Sequence, residues 1–223
     1  MKGKAVAVGT FGGFRKRTQT LDEWVNGTRW LAVRWRDLWG VYGRRMDPAM
    51  REAILVAVAD VNRCRWCSYA HQTWGLEVGL SAEDIARLTG ASEAPGDTRI
   101  AAAAAYARTR AEGSFGPVPT TLRTALLTSF DAGSADDVEL VARGMHQANM
   151  AGNALDALLA RWRGQAPADS RLLDDLALGS FAFAIIVVGV PVFAILLRRS
   201  PRRVLRELRG FVGTYDAAEG VGG

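Results

Sequence analysis

The feature that most limits the fold is a run of 22 residues near the carboxyl end without a charged side chain, LALGSFAFAIIVVGVPVFAILL (176–197). A helix of that length, at about 1.5 Å per residue, covers roughly 30 Å, which is the thickness of the hydrocarbon core of a bilayer. A chain of 223 residues seldom builds a core large enough to bury such a helix on all sides. The run therefore predicts a C-terminal transmembrane helix, which Pro191 would kink without breaking.

Composition divides the rest of the chain into four segments. Residues 1–17 are basic and rich in glycine, and predict a flexible arm. Residues 18–163 read as successive helices and contain no convincing strand-like alternation. Residues 164–175 read as a linker, and residues 198–223 as an arginine-rich tail. The sequence thus predicts an all-α domain that is followed by a transmembrane helix and a short tail.

The net charge of +5 does not indicate nucleic-acid binding. Six arginines against three acidic residues in the segment 198–223 supply more than half of this excess. The rest of the chain is close to balanced, so a basic recognition face is not indicated. We expect no nucleic-acid partner.

Both cysteines lie in the segment NRCRWCSYAH (62–71), together with one of the two histidines. Cys64, Cys67 and His71 are three and then four residues apart, so on a helix all three side chains lie on one face. A cysteine in the first turn of a helix is close to unpaired amide groups and to the positive end of the helix dipole, which favour the thiolate. A neighbouring imidazole can accept or return a proton near neutral pH. The spacing therefore suits a dithiol that closes to a disulfide.

Other interpretations of these residues stay open. A zinc site would need Cys64, Cys67, His71 and the distant His146, and the second closely spaced ligand pair that is usual in closed zinc sites is missing. A structural disulfide would need an oxidising compartment, and the first residues contain no apolar run long enough for a cleaved signal peptide. We therefore expect no metal and no cofactor, and interpret His146 as a packing or hydrogen-bonding histidine. Glu52 by itself reads as a solvated residue near a helix start.

Glu52, Cys64, Cys67 and His71 together form the pattern E-x11-C-x2-C-x3-H. This pattern resembles that of the AhpD-like alkylhydroperoxidases, a branch of the carboxymuconolactone decarboxylase superfamily, and the similarity extends over most of the predicted helical domain. The resemblance implies an all-α fold that assembles into trimers or hexamers. It also implies that Cys67 is the peroxidatic cysteine, that Cys64 is the resolving cysteine, and that Glu52 and His71 form a proton relay.

One position departs from the pattern. The best-known members of the branch carry an extra histidine just before the second cysteine, where this chain has Trp66. An indole in that place removes one proton carrier and changes the shape of the substrate channel. The decarboxylase branch does not depend on a cysteine pair, so decarboxylation is the less favoured activity.

The sequence therefore predicts an enzyme, a dithiol oxidoreductase that reduces small organic hydroperoxides through Cys64 and Cys67. The resemblance implies that a dithiol reductant, of the lipoyl type, restores the thiols. Two alternatives are thiol–disulfide exchange with a protein partner and a non-catalytic oligomeric scaffold that senses redox state.

Two arguments about membrane orientation disagree. The arginines in the segment 198–223 outnumber those just before the apolar run, which favours a cytoplasmic tail. Insertion as a tail anchor instead leaves the domain in the cytoplasm, where dithiol chemistry finds its reductant. We expect a membrane protein with a single C-terminal anchor and a cytoplasmic catalytic domain. The segment RRSPRRVLRELRG can also lie along an anionic membrane surface as a basic amphipathic helix.

Overall fold

The computed structural model describes residues 14, 16–90 and 97–218, and in these residues every regular element is a helix. This confirms the predicted all-α fold. The helices are α1 (Leu21–Ala32), α2 (Trp35–Gly40), which continues into a π-helical turn (Val41–Arg45), α3 (Pro48–Asn62), α4 (Arg65–Glu77), α5 (Ala82–Thr89), α6 (Thr98–Glu112), α7 (Thr120–Leu127), α8 (Ala132–Trp162), α9 (Leu172–Leu196) and α10 (Pro201–Ala218).

Most of the arm predicted over 1–17 lies outside the described residues. Two of its last residues, Lys16 and Arg17, contact the domain. Lys16 pairs with the buried carboxylate of Asp156, and Arg17 Nη1 donates to the carbonyl oxygen of Ala111 at 2.7 Å.

Local sequence explains the start and the end of α3, the central helix. The side chain of Asp47 accepts a hydrogen bond from the amide of Met50 at 3.0 Å, and Pro48 occupies the first helical position, where its missing N–H costs nothing. At the other end Arg63 adopts a left-handed conformation (φ 55°), and the amide of Cys64 donates to a carbonyl of the last turn. This sharp corner sends the chain directly into α4, with Cys64 as its N-cap residue.

The core lies around α3, which packs against α4, α5, α6 and α8. Ile54, Leu55 and Val58 of α3 are almost fully buried. The alanine-rich α6 contributes Ala103 and Ala107, which are completely buried. Their small side chains let α6 approach α3 closely. Aliphatic groups from α3 and α8 fill the rest of this core.

Helix α9 is, among the described helices, the one that is long and apolar enough to cross a membrane. It begins at Leu172, inside the segment predicted as a linker, and it does not extend away from the domain. One side packs on α8, where a Cβ at Gly179 would lie 3.1 Å from the backbone of Leu155. Its last turns reach α4, where the rings of Phe193 and Tyr69 are 6.3 Å apart. Only 22% of its most apolar stretch is buried, so most of the helix surface is open.

Helix α10 contains most of the described part of the arginine-rich tail, and it folds back on α4. The hydroxyl of Tyr69 donates to the carbonyl oxygen of Val204 at 3.3 Å, and Arg65 pairs with Asp216. Just before α10, Arg199 forms ion pairs with Glu77 and Glu207, both at 3.0 Å. The opposite side of α10 exposes four arginines: Arg202, Arg203, Arg206 and Arg209. The tail is therefore an amphipathic helix with one packed and one cationic side.

Candidate active site

Cys64 and Cys67 form a disulfide at the amino end of α4. Cys64 is the N-cap residue and is completely buried, while Cys67 lies in the first turn and is partly exposed. The sequence predicted this placement, in which unpaired amides and the helix dipole favour a thiolate once the disulfide is reduced. The two sulfur atoms differ in access, since Cys67 lines a cavity and Cys64 lies behind it.

His71 lies one turn beyond Cys67 on the same helix and pairs with Glu52 of α3. Its Nδ1 donates to Glu52 Oε2 at 2.8 Å, and the Glu52 side chain is 3% exposed. The expectation that Glu52 alone is a solvated helix-start residue is therefore wrong. The hydrogen bond fixes the imidazole tautomer, so that Nε2 is left to accept or deliver a proton.

A cavity of about 500 Å³ lies between parts of α4 and α9. Cys67 and His71 lie in one wall together with Trp66. Trp66 occupies the position of the extra histidine in the AhpD-like branch that the sequence resembles. The opposite wall consists of apolar side chains of α9. A substrate in this cavity would meet the thiol and the imidazole together.

The dipeptide between the two cysteines is held by Asp156 of α8, a residue that the sequence analysis missed. Its Oδ1 accepts from Arg65 Nε and from Trp66 Nε1, both at 2.9 Å. Its Oδ2 pairs with Lys16. Asp156 is 5% exposed, so three donors compensate a buried carboxylate and fix the first turn of α4, which carries the disulfide. A single acid inside the apolar run NALDALL is the signal that could have identified it.

Gly152 of α8 gives the cysteines the space they occupy. A Cβ at this position would lie 2.7 Å from Cys64 Sγ and 3.6 Å from Cys67 Sγ. The neighbouring asparagines hold α8 against α3, since Asn149 and Asn153 donate to the carbonyl oxygens of Val58 and Asn62. The disulfide is therefore packed directly against the backbone of α8.

We expect Gly152→Ala to destabilise the oxidised protein by about 1–3 kcal/mol, because the added methyl group overlaps with Cys64 Sγ. The matched control is Gly144→Ala on the same helix, where a Cβ meets nothing within 4 Å. The free energy of unfolding of this control should rise by about 0.5–1 kcal/mol, because alanine restricts the unfolded chain and favours the helix. Thermal unfolding of both variants measures the difference, and equal stabilities would contradict the packing argument.

His146 is not part of this site. Its Nε2 lies 3.2 Å from Gln19 Nε2 and its Nδ1 lies 3.2 Å from Asn62 Nδ2, and its ring packs on Phe115. These contacts confirm the interpretation as a hydrogen-bonding histidine. No three His, Cys, Asp or Glu side chains in the described part of the chain are placed to hold a metal ion.

Burial lowers the pKa of His146 from 6.5 to about 4, and the cations Arg17 and Arg143 add to this effect. The folded state therefore binds fewer protons than the unfolded state between these two values. The stability that this pKa difference contributes is fully present above pH 6.5. It is lost as the pH falls to about 4, and the loss from His146 is about 3 kcal/mol.

Chemical unfolding at a series of pH values checks this expectation. The variant His146→Gln keeps hydrogen-bonding groups but does not titrate, so its free energy of unfolding should fall less steeply in the same pH window. Parallel curves for the two proteins would exclude His146 as the cause of acid sensitivity.

The fold and the site define a helical domain with a C-x-x-C disulfide at the amino end of a helix and a Glu52–His71 hydrogen bond beside it. Residues 26–109 match the model of the carboxymuconolactone decarboxylase family, which includes AhpD-like proteins. The matched residues contain Glu52, both cysteines and His71, whereas α8 and α9 lie outside them. Comparisons with curated proteins and with solved structures gave no match.

Proposed function

We propose that the chain is a dithiol oxidoreductase that reduces organic hydroperoxides. The observation that carries this proposal is the common wall formed by Cys67 and His71, with Cys64 bonded behind Cys67 and Glu52 bonded behind His71. Each of the four residues then has a separate chemical role. The exposure of each sulfur atom to the cavity decides which cysteine reacts first.

In the reduced protein the Cys67 thiolate attacks the terminal oxygen of the hydroperoxide, and the O–O bond breaks. The departing alkoxide takes from His71 Nε2 the proton that the Cys67 thiol gave up, and it leaves as an alcohol. Until this proton is delivered, Glu52 stabilises the His71 imidazolium through Nδ1. Cys67 is now a sulfenic acid. The Cys64 sulfur attacks the sulfur of Cys67, the Cys64 thiol proton joins the departing hydroxide to form water, and the disulfide closes.

The disulfide must be reduced again by two electrons from a dithiol. We propose a dithiol reductant of the lipoyl type, which would attack the accessible sulfur of Cys67 and release Cys64 first. The partial exposure of Cys67 supports this order of exchange.

We also propose that the chain forms a homo-oligomer. Several large apolar side chains on and beside α2 are exposed in the single chain: Val33 (70%), Trp35 (60%) and Trp39 (79%). A surface of this kind favours contact with a second copy. Light scattering coupled to size exclusion measures the assembly, and a monomer would refute it.

We propose further that the outward side of α9 faces lipid and that the domain lies in the cytoplasm. Phe183, Val188 and Ile195 are each more than half exposed on that side. The exposed arginines of α10 lie next to it and suit anionic head groups. Release of the chain from membranes by alkaline carbonate would refute lipid insertion. Labelling of the reduced cysteines in intact cells by an impermeant thiol reagent would refute the cytoplasmic location.

The test of the proposed activity uses the full chain, reduced and then freed from small thiols. An organic hydroperoxide should remove two thiols per chain and yield one alcohol for each disulfide. Thiols that persist in excess hydroperoxide would refute the activity and leave exchange with a disulfide-bearing protein as the function to test.

A further inference from the structure

The cavity beside Cys67 differs at its two ends. Its volume of about 500 Å³ is within the range of a ligand site. The α9 wall is apolar throughout and includes Phe181, Ile185, Ile186 and Phe193. This wall comes from a helix that lies outside the residues matched to the family.

Two polar side chains belong to the other walls of the cavity, on α1 and α8. Thr28 Oγ1 of α1 and Gln147 Oε1 of α8 both belong to residues that line the cavity, and both atoms are buried without a hydrogen-bond partner. The Gln147 side chain is held against α1, since a Cβ at Gly27 would overlap with it. A buried polar atom without a partner is costly, so a ligand that supplies a hydrogen bond is favoured here.

The cavity also opens toward the apolar surface of the molecule. Phe181 and Ile185 line it, and they are 46% and 54% exposed. A molecule that reaches the outward side of α9 can therefore enter between these side chains without crossing a polar surface.

We propose that the cavity binds a long-chain fatty-acyl hydroperoxide, with its hydrocarbon chain along α9 and its peroxide group at Cys67. This inference rests on the proposed function and names its substrate class. The hydroperoxide accepts two electrons from the two thiols and leaves as the fatty-acyl alcohol, with one water and one disulfide as the other products. Gln147 and Thr28 are placed to bind the polar end of the substrate, while the apolar wall selects for chain length.

The variant Gly189→Leu tests the selection. Gly189 lines the cavity, and a Cβ there meets nothing within 4 Å, so the first atom of a larger side chain displaces no neighbour. The control Gly210→Leu lies on α10 at an exposed position where a Cβ also meets nothing. Both variants are compared with the full-length wild type in lipid nanodiscs, reduced beforehand.

The measured quantity is the ratio of two rate constants for thiol loss, one with linoleic acid hydroperoxide and one with tert-butyl hydroperoxide. Gly189→Leu should lower this ratio by about tenfold, the effect of a few methylene groups in a pocket, and Gly210→Leu should leave it unchanged. An unchanged ratio in Gly189→Leu would overturn the inference.

A second readout does not depend on peroxide chemistry. Linoleic acid, which carries no peroxide, should slow alkylation of Cys67 by N-ethylmaleimide in the reduced wild type, followed by mass spectrometry. It should not do so in Gly189→Leu. If linoleic acid protects Cys67 but neither hydroperoxide reacts, the proposed function is refuted and the acyl site remains. If the hydroperoxides react but linoleic acid does not protect Cys67, the acyl site is refuted and the proposed function remains.

Discussion

Replacement of Cys67 by serine should abolish oxidation of the chain by hydroperoxide, whereas Cys64→Ser should still react once. Cys67 lines the cavity, while Cys64 is completely buried behind it. In the proposed mechanism a hydroperoxide therefore meets Cys67 first, and Cys64 acts only after Cys67 has become a sulfenic acid.

The measurement follows free thiols and the mass of the reduced chain after one equivalent of hydroperoxide. Wild type should lose two thiols, Cys67→Ser none, and Cys64→Ser one, with the product trapped by dimedone as a sulfenic acid adduct. Rapid reaction of Cys67→Ser would reverse the two roles. Full activity of both variants would exclude an intramolecular disulfide as an intermediate.

The sequence predicted the helices around the cysteines well because their ends are encoded locally. Asp47 and Pro48 begin α3, and Ser81 and Asp84 form a capping box at the start of α5. Each of these signals acts within one turn, so no tertiary contact is needed to interpret it. The common face of Cys67 and His71 also follows from spacing alone.

The groups that complete the site depend on contacts between distant segments. Asp156 holds Arg65 and Trp66 across ninety positions of the chain or more, and Gly152 matters because of what lies next to it. Glu52 was misjudged from its own surroundings for the same reason, since its partner His71 is on the next helix. The resemblance placed Glu52 at the site, which composition could not do.

Hydropathy predicts that α9 is an apolar helix, but it does not predict which side of the helix packs on the protein. Its apolar composition predicted a helix able to cross a membrane, which the structure confirms. Composition does not tell which side of such a helix finds a protein partner. Gly179 decides this for α9, because its lack of a side chain lets the backbone approach α8. The apolar side that faces Cys67 follows from that contact.

Glu52→Gln should slow the oxidation of the reduced chain by tert-butyl hydroperoxide by about 100-fold or more, as is typical for loss of acid–base assistance. Glutamine has nearly the shape of glutamate but no charge, so it does not stabilise the imidazolium that forms at His71. In the proposed mechanism Glu52 acts on the reaction through His71 and not by contact with the substrate, which makes it a positioning residue. The rate is measured by stopped-flow quantification of thiols.

The control is Glu139→Gln, which also removes a largely buried carboxylate, whose side chain is 13% exposed. Glu139 is bonded to Arg110 and Arg143, and it does not line the cavity. This variant should lose stability, because two cations lose their partner. The folded fraction should still react at the rate of the wild type. A similar fall in rate for both variants would mean that the Glu52 effect is structural.

The leaving group separates a proton relay from a packing role. An alkoxide must be protonated as it departs, whereas a peroxyacid releases a carboxylate, which leaves as an anion. The deficit of Glu52→Gln should therefore be large with tert-butyl hydroperoxide and at least about tenfold smaller with peracetic acid, where the proton contributes little. A packing defect would displace Cys67 and slow both reactions alike. Equal deficits would thus remove Glu52 and His71 from the proton path, and the cysteine pair would remain as the reactive centre by itself.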